Sequence, residues 1–475
     1  MGQEIGRSQF EPVDFARFNE RLTAETRLLA EMERDGRLSR RCCTIGFEVE
    51  ACLVERGCAP APINEEYLAA LANPLVVPEL SRFNVELNGS PQNLRGAAFS
   101  RLEAELTQTW RRCLEVSHSM GSALLLVGIL PTMRESDLTM ANVSGLKRFE
   151  ALNQQVLRQR EGRPITIDIR GVEELHTVHA DVMLEAATTS FQIHLQVPAA
   201  RVGRLYNASL LASAPVLAAG SNSPFLFGKR LWAETRIPLF EQSVAVHAPG
   251  APLADRRVSF GREYCEEGTC ALFEENRTRF ATLLPMISDR PPHEFPHLRL
   301  HNGTIWRWNR PLVGFDDDGT PHLRIEHRVL PAGPSIADMI ANAAFYAGLV
   351  GAWQELDPPF EQALRFEQAR SNFYAVARDG LDAGVTWPGH ANVSIRRLIL
   401  GELLATARAG LEKFGVDPAD VTRYLGIIEA RVESRQTGAA WQCAYIDDHG
   451  RDFPGLCAAY LENQRSGTPV HEWPL

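Results

Sequence analysis

Four separate stretches of this chain alternate hydrophobic and polar residues with period two, the pattern of a strand that buries one face. In Thr44-Ile-Gly-Phe-Glu-Val-Glu-Ala-Cys-Leu-Val-Glu55, Phe47 and Val49 interleave with Glu48 and Glu50 before an apolar stretch from Cys52 to Val54. Phe83-Asn-Val-Glu-Leu-Asn-Gly-Ser-Pro91 puts Asn84, Glu86 and Asn88 on one face, with Val85 and Leu87 on the other. Phe191-Gln-Ile-His-Leu-Gln-Val197 aligns Gln192, His194 and Gln196. His322-Leu-Arg-Ile-Glu-His-Arg-Val329 sets Arg324, Glu326 and Arg328 against Leu323, Ile325 and Val329, with His327 a polar exception on the apolar side.

Period-3.6 patterning predicts helices around these strands: about 13–39, near 65–71, 95–119 (Phe99, Leu102, Leu106, Trp110, Cys113), 146–159 and 202–219. The run Ser122 to Leu130, SALLLVGIL, reads as a strand buried on both faces. Segments 303–310 and 322–330 are parted by the turn Asp316-Asp-Asp-Gly319. From Ser335 onward the chain is mostly helical, with a capping box at Ser335-Ile-Ala-Asp338, a helix start at Asp417-Pro418 and a break at Asp357-Pro-Pro359. No repeat, low-complexity tract or flexible linker divides the chain. The expected organisation is an N-terminal helical extension (1–41) and a single α/β (α+β) domain (42–475) with a mostly helical C-terminal layer (335–475).

Composition narrows the class. The chain has 475 residues, 45% hydrophobic and 23% charged, with a net charge of −10. That is ordinary for a globular protein and argues against nucleic acid or an anionic membrane as main partner. No apolar run reaches the ~18 residues a spanning helix needs. The N-terminal MGQEIGRSQFEPVDF lacks a basic region and an apolar core, so it is not read as a signal peptide, and Met1-Gly2 with Ser8 fits a myristoylation signal poorly. Nine cysteines without regular spacing suit a reducing cytoplasm better than a zinc ribbon.

The candidate chemistry sits on the polar faces of the four strands. Glu48 and Glu50 are two apart, so their carboxylates lie side by side, about 7 Å apart, and repel. A water-facing sheet gives the same alternation, but such faces usually carry Lys, Thr and Ser; here Lys is absent from all four strands. Glu48, Glu50, Glu86 and Glu326 with His194 suit a hard divalent cation, Mg²⁺ or Mn²⁺, which would offset the repulsion. Arg310 and Arg328 suit phosphate, with salt bridging to the same glutamates as the alternative; for Arg324 the two roles are evenly matched. Neither a Gly-x-x-x-x-Gly-Lys-Ser/Thr loop nor a Gly-x-Gly-x-x-Gly fingerprint occurs. His176 and His179 could pair as i, i+3 ligands on a helix, but are left outside the site. Trp306 and Trp308 could stack on adenine or simply pack.

Together, Glu48-Val-Glu50, Phe83 to Pro91, Phe191-Gln-Ile-His194 and Ala219-Gly-Ser-Asn-Ser-Pro-Phe225 followed by Trp232 resemble the glutamate–cysteine ligase type 2 family of carboxylate-amine ligases. Asn309-Arg310 and Arg324-Ile-Glu-His-Arg328 are similar to elements of glutamine synthetase. The resemblance spans roughly residues 40 to 350. It implies a glutamine-synthetase-like fold, a curved, mainly antiparallel sheet forming a funnel with helices outside. It further implies ATP and Mg²⁺ or Mn²⁺ as cofactors, Glu48, Glu50, Glu86 and Glu326 as metal ligands, and His194 as a ligand or phosphate contact. Arg310 and Arg328, with Gln192 beside them, would hold phosphates, and Arg328, Arg310 and Glu50 would be the catalytic set.

The reading is an ATP-dependent ligase that joins an amino-acid carboxylate, on family grounds the γ-carboxylate of glutamate, to an amine acceptor through an acyl phosphate. Its setting would be cytoplasmic and its state open to homo-oligomerisation. The alternatives are a ligase for another amine and a non-catalytic nucleotide- or metal-sensing protein on the same scaffold.

Overall fold

The computed structural model describes residues 5–246, 256–266, 268 and 270–475; Met1-Gly2 lies outside them. Strands β1 (Thr44–Val54), β2 (Val76–Pro78), β3 (Asn84–Asn88), β4 (Gln92–Asn93) and β5 (Ala123–Leu125) come first. A separate hairpin, β6 (Ile165–Arg170) and β7 (Glu174–His179), precedes β8 (Ser190–Val197) and the short pair β9 (Phe225–Leu226) and β10 (Lys229–Arg230). Then follow β11 (Asn309–Phe315) and β12 (Pro321–Pro331), and last the hairpin β13 (Gly384–Trp387) and β14 (His390–Ser394).

The main sheet is antiparallel and curled, in the order β11-β12-β8-β1-β3-β2, with β4 and β5 also pairing β1. Thus the four alternating stretches are consecutive neighbours. Register sets Glu50 opposite Glu86, Glu48 opposite Gln192, Glu326 opposite His194 and Arg310 opposite Glu326. The polar faces therefore merge into one surface. The opposite face carries Phe47, Val49, Ile193, Leu195, Leu323 and Ile325, all buried in one core with helices Val202–Gly220 and Ile336–Trp353. Burying each such side chain is worth about 1.5–3 kcal/mol, so the apolar face decides which way the sheet turns.

Helix Ile336–Trp353, begun by the Ser335–Asp338 capping box, is the only one among the described residues long and apolar enough to cross a membrane. It is 94% buried inside the fold, which explains its composition. It crosses helix Leu404–Lys413 at very close range: a Cβ on Gly410 would stand 1.8 Å from the Gly348 carbonyl oxygen. The N-terminal helix, Pro12–Arg34, packs on helices Cys270–Arg279 and Pro296–Asn302.

Three sequence expectations need correction. Only Ala123–Leu125 of the run 122–130 is strand. Beyond it, the Leu126 N–H donates to Gln464 Oε1 (3.1 Å), and the Leu126 carbonyl accepts from Tyr460 (3.0 Å) and Gln464 (2.9 Å) of helix Phe453–Ser466. Hydrophobicity reported burial there; side chains replace the ladder at Leu126, while Gly128 pairs through the backbone with Asn222 and Thr189. His176 and His179 lie on strand β7, where residues three apart face opposite ways. His176 is exposed and His179 contacts Glu135 at 2.9 Å, so they cannot act as a helical pair. Residues 303–308 form an irregular link after helix Pro296–Asn302, and the strand starts only at Asn309.

Candidate active site

The merged polar face floors a cavity of about 210 Å³. Glu48, Glu50, Glu86, Gln192, Arg310 and Arg328 line it, and His194 and Glu326 join it through the side chains they touch. All eight residues singled out from the sequence therefore converge. Arg324 also lines the cavity.

The acids form two groups, in each of which one ligand atom per residue lies within 4.8 Å of the others: Glu48–His194–Glu326 and Glu50–Glu79–Glu86. Their electrostatics are opposite. In the first, Arg310 grips Glu326 with both Nε (2.7 Å) and Nη2 (3.0 Å), and Arg328 Nη1 adds a contact at 3.2 Å. Burial would raise the Glu326 carboxyl, but Arg310, then Arg328 and His194, outweigh it and hold the group ionised well below the usual range. Glu48 is likewise depressed, its burial overcome chiefly by His194, whose Nε2 lies 3.3 Å away.

The second group lacks such compensation. Burial pushes Glu50 up to about 7, with Arg328 opposing and Glu86 adding repulsion. Glu79 reaches about 7 through burial and the Glu50 charge, and Glu86 rises well above the carboxylate range through burial and its neighbours Glu48 and Glu79. Glu50 is nevertheless held in place: its oxygens accept from the Ser190 N–H (2.7 Å), the Ser190 hydroxyl (2.9 Å) and Gln192 Nε2 (3.1 Å). Asn88 Nδ2 donates to Glu86 at 2.9 Å.

Both groups fit a hard divalent cation. Three crowded, desolvated carboxyls are short of positive charge, and both ring nitrogens of buried His194 lack a well-directed hydrogen-bond partner. Arg328 spans the groups. It touches Glu326 on one side and donates to Gln192 on the other, and Gln192 in turn donates to Glu50. The arginines expected to hold phosphate are thus salt-bridged to Glu326, whereas Arg324 makes no ion pair among the described residues.

Glu79 escaped the sequence reading because it sits in the link between β2 and β3, where no periodicity marks a face. Glu185 also lines the cavity, on the turn Met183–Ala187, and burial pushes its carboxyl up to about 8. A lone acid within the apolar Val182-Met-Leu-Glu-Ala-Ala187 was a legible signal for it. Arg148 and Arg299 complete the charged lining, while Phe149, Leu298, Trp306 and Leu312 form an apolar wall. Trp308, by contrast, is buried and donates to Glu241 at 2.9 Å.

The family match, on this fold, makes the chain an ATP-dependent carbon–nitrogen ligase. The chain belongs to glutamate-cysteine ligase family 2, whose family model matches residues 44–455. The match begins at β1 and extends past residue 350 through the helical layer. Among solved structures, the glutamate–cysteine ligase (gshA) of Francisella tularensis, in complex with AMP, is similar over 91% of this chain and 90% of its own, with 15% identity and a TM-score of 0.58. A bifunctional glutathione synthetase from Pasteurella multocida is similar over 94% of this chain and 54% of its own, with 12% identity and a TM-score of 0.50. No curated protein matches the chain in sequence.

Proposed function

We infer that the protein phosphorylates an amino-acid carboxylate with ATP, releasing ADP, and passes the acyl group to an amine with loss of inorganic phosphate, forming an amide bond. The carrying observation is the bridge Glu326–Arg328–Gln192–Glu50, which links two acid groups across one cavity floor. Phosphoryl transfer needs positive charge where oxygens gather negative charge and little else from the protein. Arg328 and Arg310 are positioned to neutralise the transferring group, and Gln192 holds the Arg328 guanidinium in line. No cysteine or lysine lines the cavity among the described residues, so activation of the substrate itself is the route these side chains support. The apolar wall keeps water from an acyl phosphate.

Glu48, His194 and Glu326 would hold one divalent cation, Mg²⁺ or Mn²⁺, and Glu50, Glu79 and Glu86 another; bound there, they would supply charge neutralisation to phosphate oxygens. The Francisella relative is in complex with AMP, which supports nucleotide binding by this chain. Family membership points to the γ-carboxylate of glutamate as acyl donor.

The test uses hydroxylamine as a small acceptor. Enzyme, ATP, Mg²⁺, glutamate and hydroxylamine should yield γ-glutamyl hydroxamate and ADP. Release of AMP and pyrophosphate would replace phosphorylation with adenylation. Absence of hydroxamate with every amino acid in a pool would overturn the ligase mechanism.

A further inference from the structure

We propose that Arg236 is a positioning residue for Arg328, acting through the backbone of strand β12 rather than touching substrate. The proposal rests on the role given to Arg328 above.

Strand β12 does not run evenly along β8. His327 is opposite Ile193, but Leu330 is opposite Phe191, so three steps on β12 match two on β8 and one extra residue is accommodated at Arg328–Val329. Such a bulge redirects a side chain and leaves backbone groups outside the ladder. The Arg328 N–H still finds a partner, the Trp308 carbonyl at 2.8 Å. The carbonyls of Arg328 and Val329 turn instead to a side chain. Arg236, at the start of helix Arg236–Ser243 and 2% exposed, donates from Nη1 and Nη2 to the Arg328 oxygen (3.3 Å each) and from Nη2 to the Val329 oxygen.

A fully buried guanidinium is costly unless paired, and this one is held in turn. Its Nε donates to Glu234 Oε1 at 3.2 Å, and its ring neighbour is Trp308, 5.4 Å from the guanidinium carbon. Glu234 accepts from the Asn222 N–H (2.9 Å) and the Ser223 hydroxyl (2.7 Å). Asn222 is anchored by its own amide to the Ala332 carbonyl and Tyr460 (2.8 Å each). The stretch Ala219-Gly-Ser-Asn-Ser-Pro-Phe225, which contributes no residue to the cavity lining, thereby acquires a role: it fixes Glu234, which fixes Arg236, which fixes the bulge. A planar fork that reaches two carbonyls at once cannot be reproduced by the point charge of lysine.

The consequence is kinetic. If the bulge relaxes, the Arg328 guanidinium leaves the line between Glu326 and Gln192, and a displacement of about 1 Å at a reacting group can cost ~10²-fold. Arg236→Lys should therefore lower kcat by roughly that factor, with substrate KM values little changed. In Arg236→Ala, millimolar guanidinium should partly restore kcat, whereas methylammonium of equal charge should not. Backbone amide exchange of the peptide covering residues 323–332 should quicken in both variants, whether or not turnover is observed. If Arg236→Lys fails to fold, Glu234→Gln, which keeps the shape but weakens the hold on Arg236, should show the same pattern more mildly. Unchanged kcat and unchanged exchange in the folded variant overturn the proposal, as does loss of activity that guanidinium cannot rescue. Arg328→Ala separates the two readings: an active Arg328→Ala enzyme refutes the role of Arg328, whereas an inactive one beside a fully active Arg236→Lys enzyme refutes only the role of Arg236.

Discussion

Glu25 on the N-terminal helix and His297 at the start of helix Pro296–Asn302 form a buried pair, with Oε1 of the acid 2.5 Å from Nδ1 of the imidazole. His297 Nε2 accepts the Ser288 N–H at 3.2 Å, so the ring proton resides on Nδ1 and is donated to Glu25. The other Glu25 oxygen accepts from the backbone N–H groups of His297 (2.9 Å) and Leu298 (2.8 Å), which begin the helix. That helix supplies Leu298, Arg299 and Leu300 to the cavity wall.

Glu25→Ala should therefore do more than weaken an N-terminal contact. Three buried donors would lose their acceptor, each at about 1–3 kcal/mol, so the unfolding free energy should fall by about 3 kcal/mol or more. A denaturant midpoint equal to wild type would show that the clasp contributes nothing.

Turnover should depend steeply on Arg328 and Glu50. Arg328→Ala and Glu50→Gln remove groups on either side of the Gln192 bridge, and each should cost ~10²–10³ in kcat, the usual loss when a transition-state contact is deleted. Circular dichroism should be unchanged, since both side chains face the cavity rather than the core. Near wild-type rates in a folded variant would take that residue out of the mechanism.

Glu79 is the proposed cation ligand that sequence periodicity did not mark. Mn²⁺ should stabilise the wild-type protein against heat, by about 2.7 kcal/mol at a concentration 100 times the Kd. Glu79→Gln should shift that titration to at least tenfold higher Mn²⁺. Superimposable titrations would exclude Glu79 from the cation site.

A different buried acid contributes a pH dependence of stability outside the cluster. Burial pushes Glu241 up to about 7, even though Trp308 (2.9 Å) and Tyr374 (2.7 Å) both donate to it. In the unfolded chain the group titrates near its ordinary 4.5. The folded state thus holds the proton more tightly, and the stability this confers is complete below about pH 4.5 and is lost as pH rises through about 7. The full effect is at most about 3 kcal/mol. Glu241→Gln should be more favourable relative to wild type at pH 8 than at pH 5. A difference in melting temperature independent of pH would contradict this.

Close helix crossing makes the last test. Gly410→Ala would drive a methyl group against the Gly348 carbonyl and should destabilise by about 1–3 kcal/mol or more. Gly426, in helix Pro418–Ser434, has nothing within 4 Å of an added Cβ, so Gly426→Ala should stabilise by up to about 1 kcal/mol. Equal effects of the two substitutions would refute the packing argument.

Alternation along β1, β3, β8 and β12 was enough to assign each strand a buried and a chemical face, because side-chain direction in a strand is a local property of the backbone. The residue types on the chemical face pointed to cations and phosphate for the same local reason. Which strands are neighbours, and that Glu326 stands opposite His194, 132 residues away, while Glu50 stands opposite Glu86, 36 residues away, follows from long-range pairing, which no local period encodes. The same holds for Glu79, Glu185 and Arg236, which lie on links and helix starts and reach the site only through tertiary contact. In the stretch 126–130 apolar sequence established burial, but the backbone partners came from afar: those of Leu126 from a helix more than three hundred residues away, those of Gly128 from Thr189 and Asn222. Burial is written in hydrophobicity; the choice of hydrogen-bond partner, and with it the shape of the cavity, is made by packing.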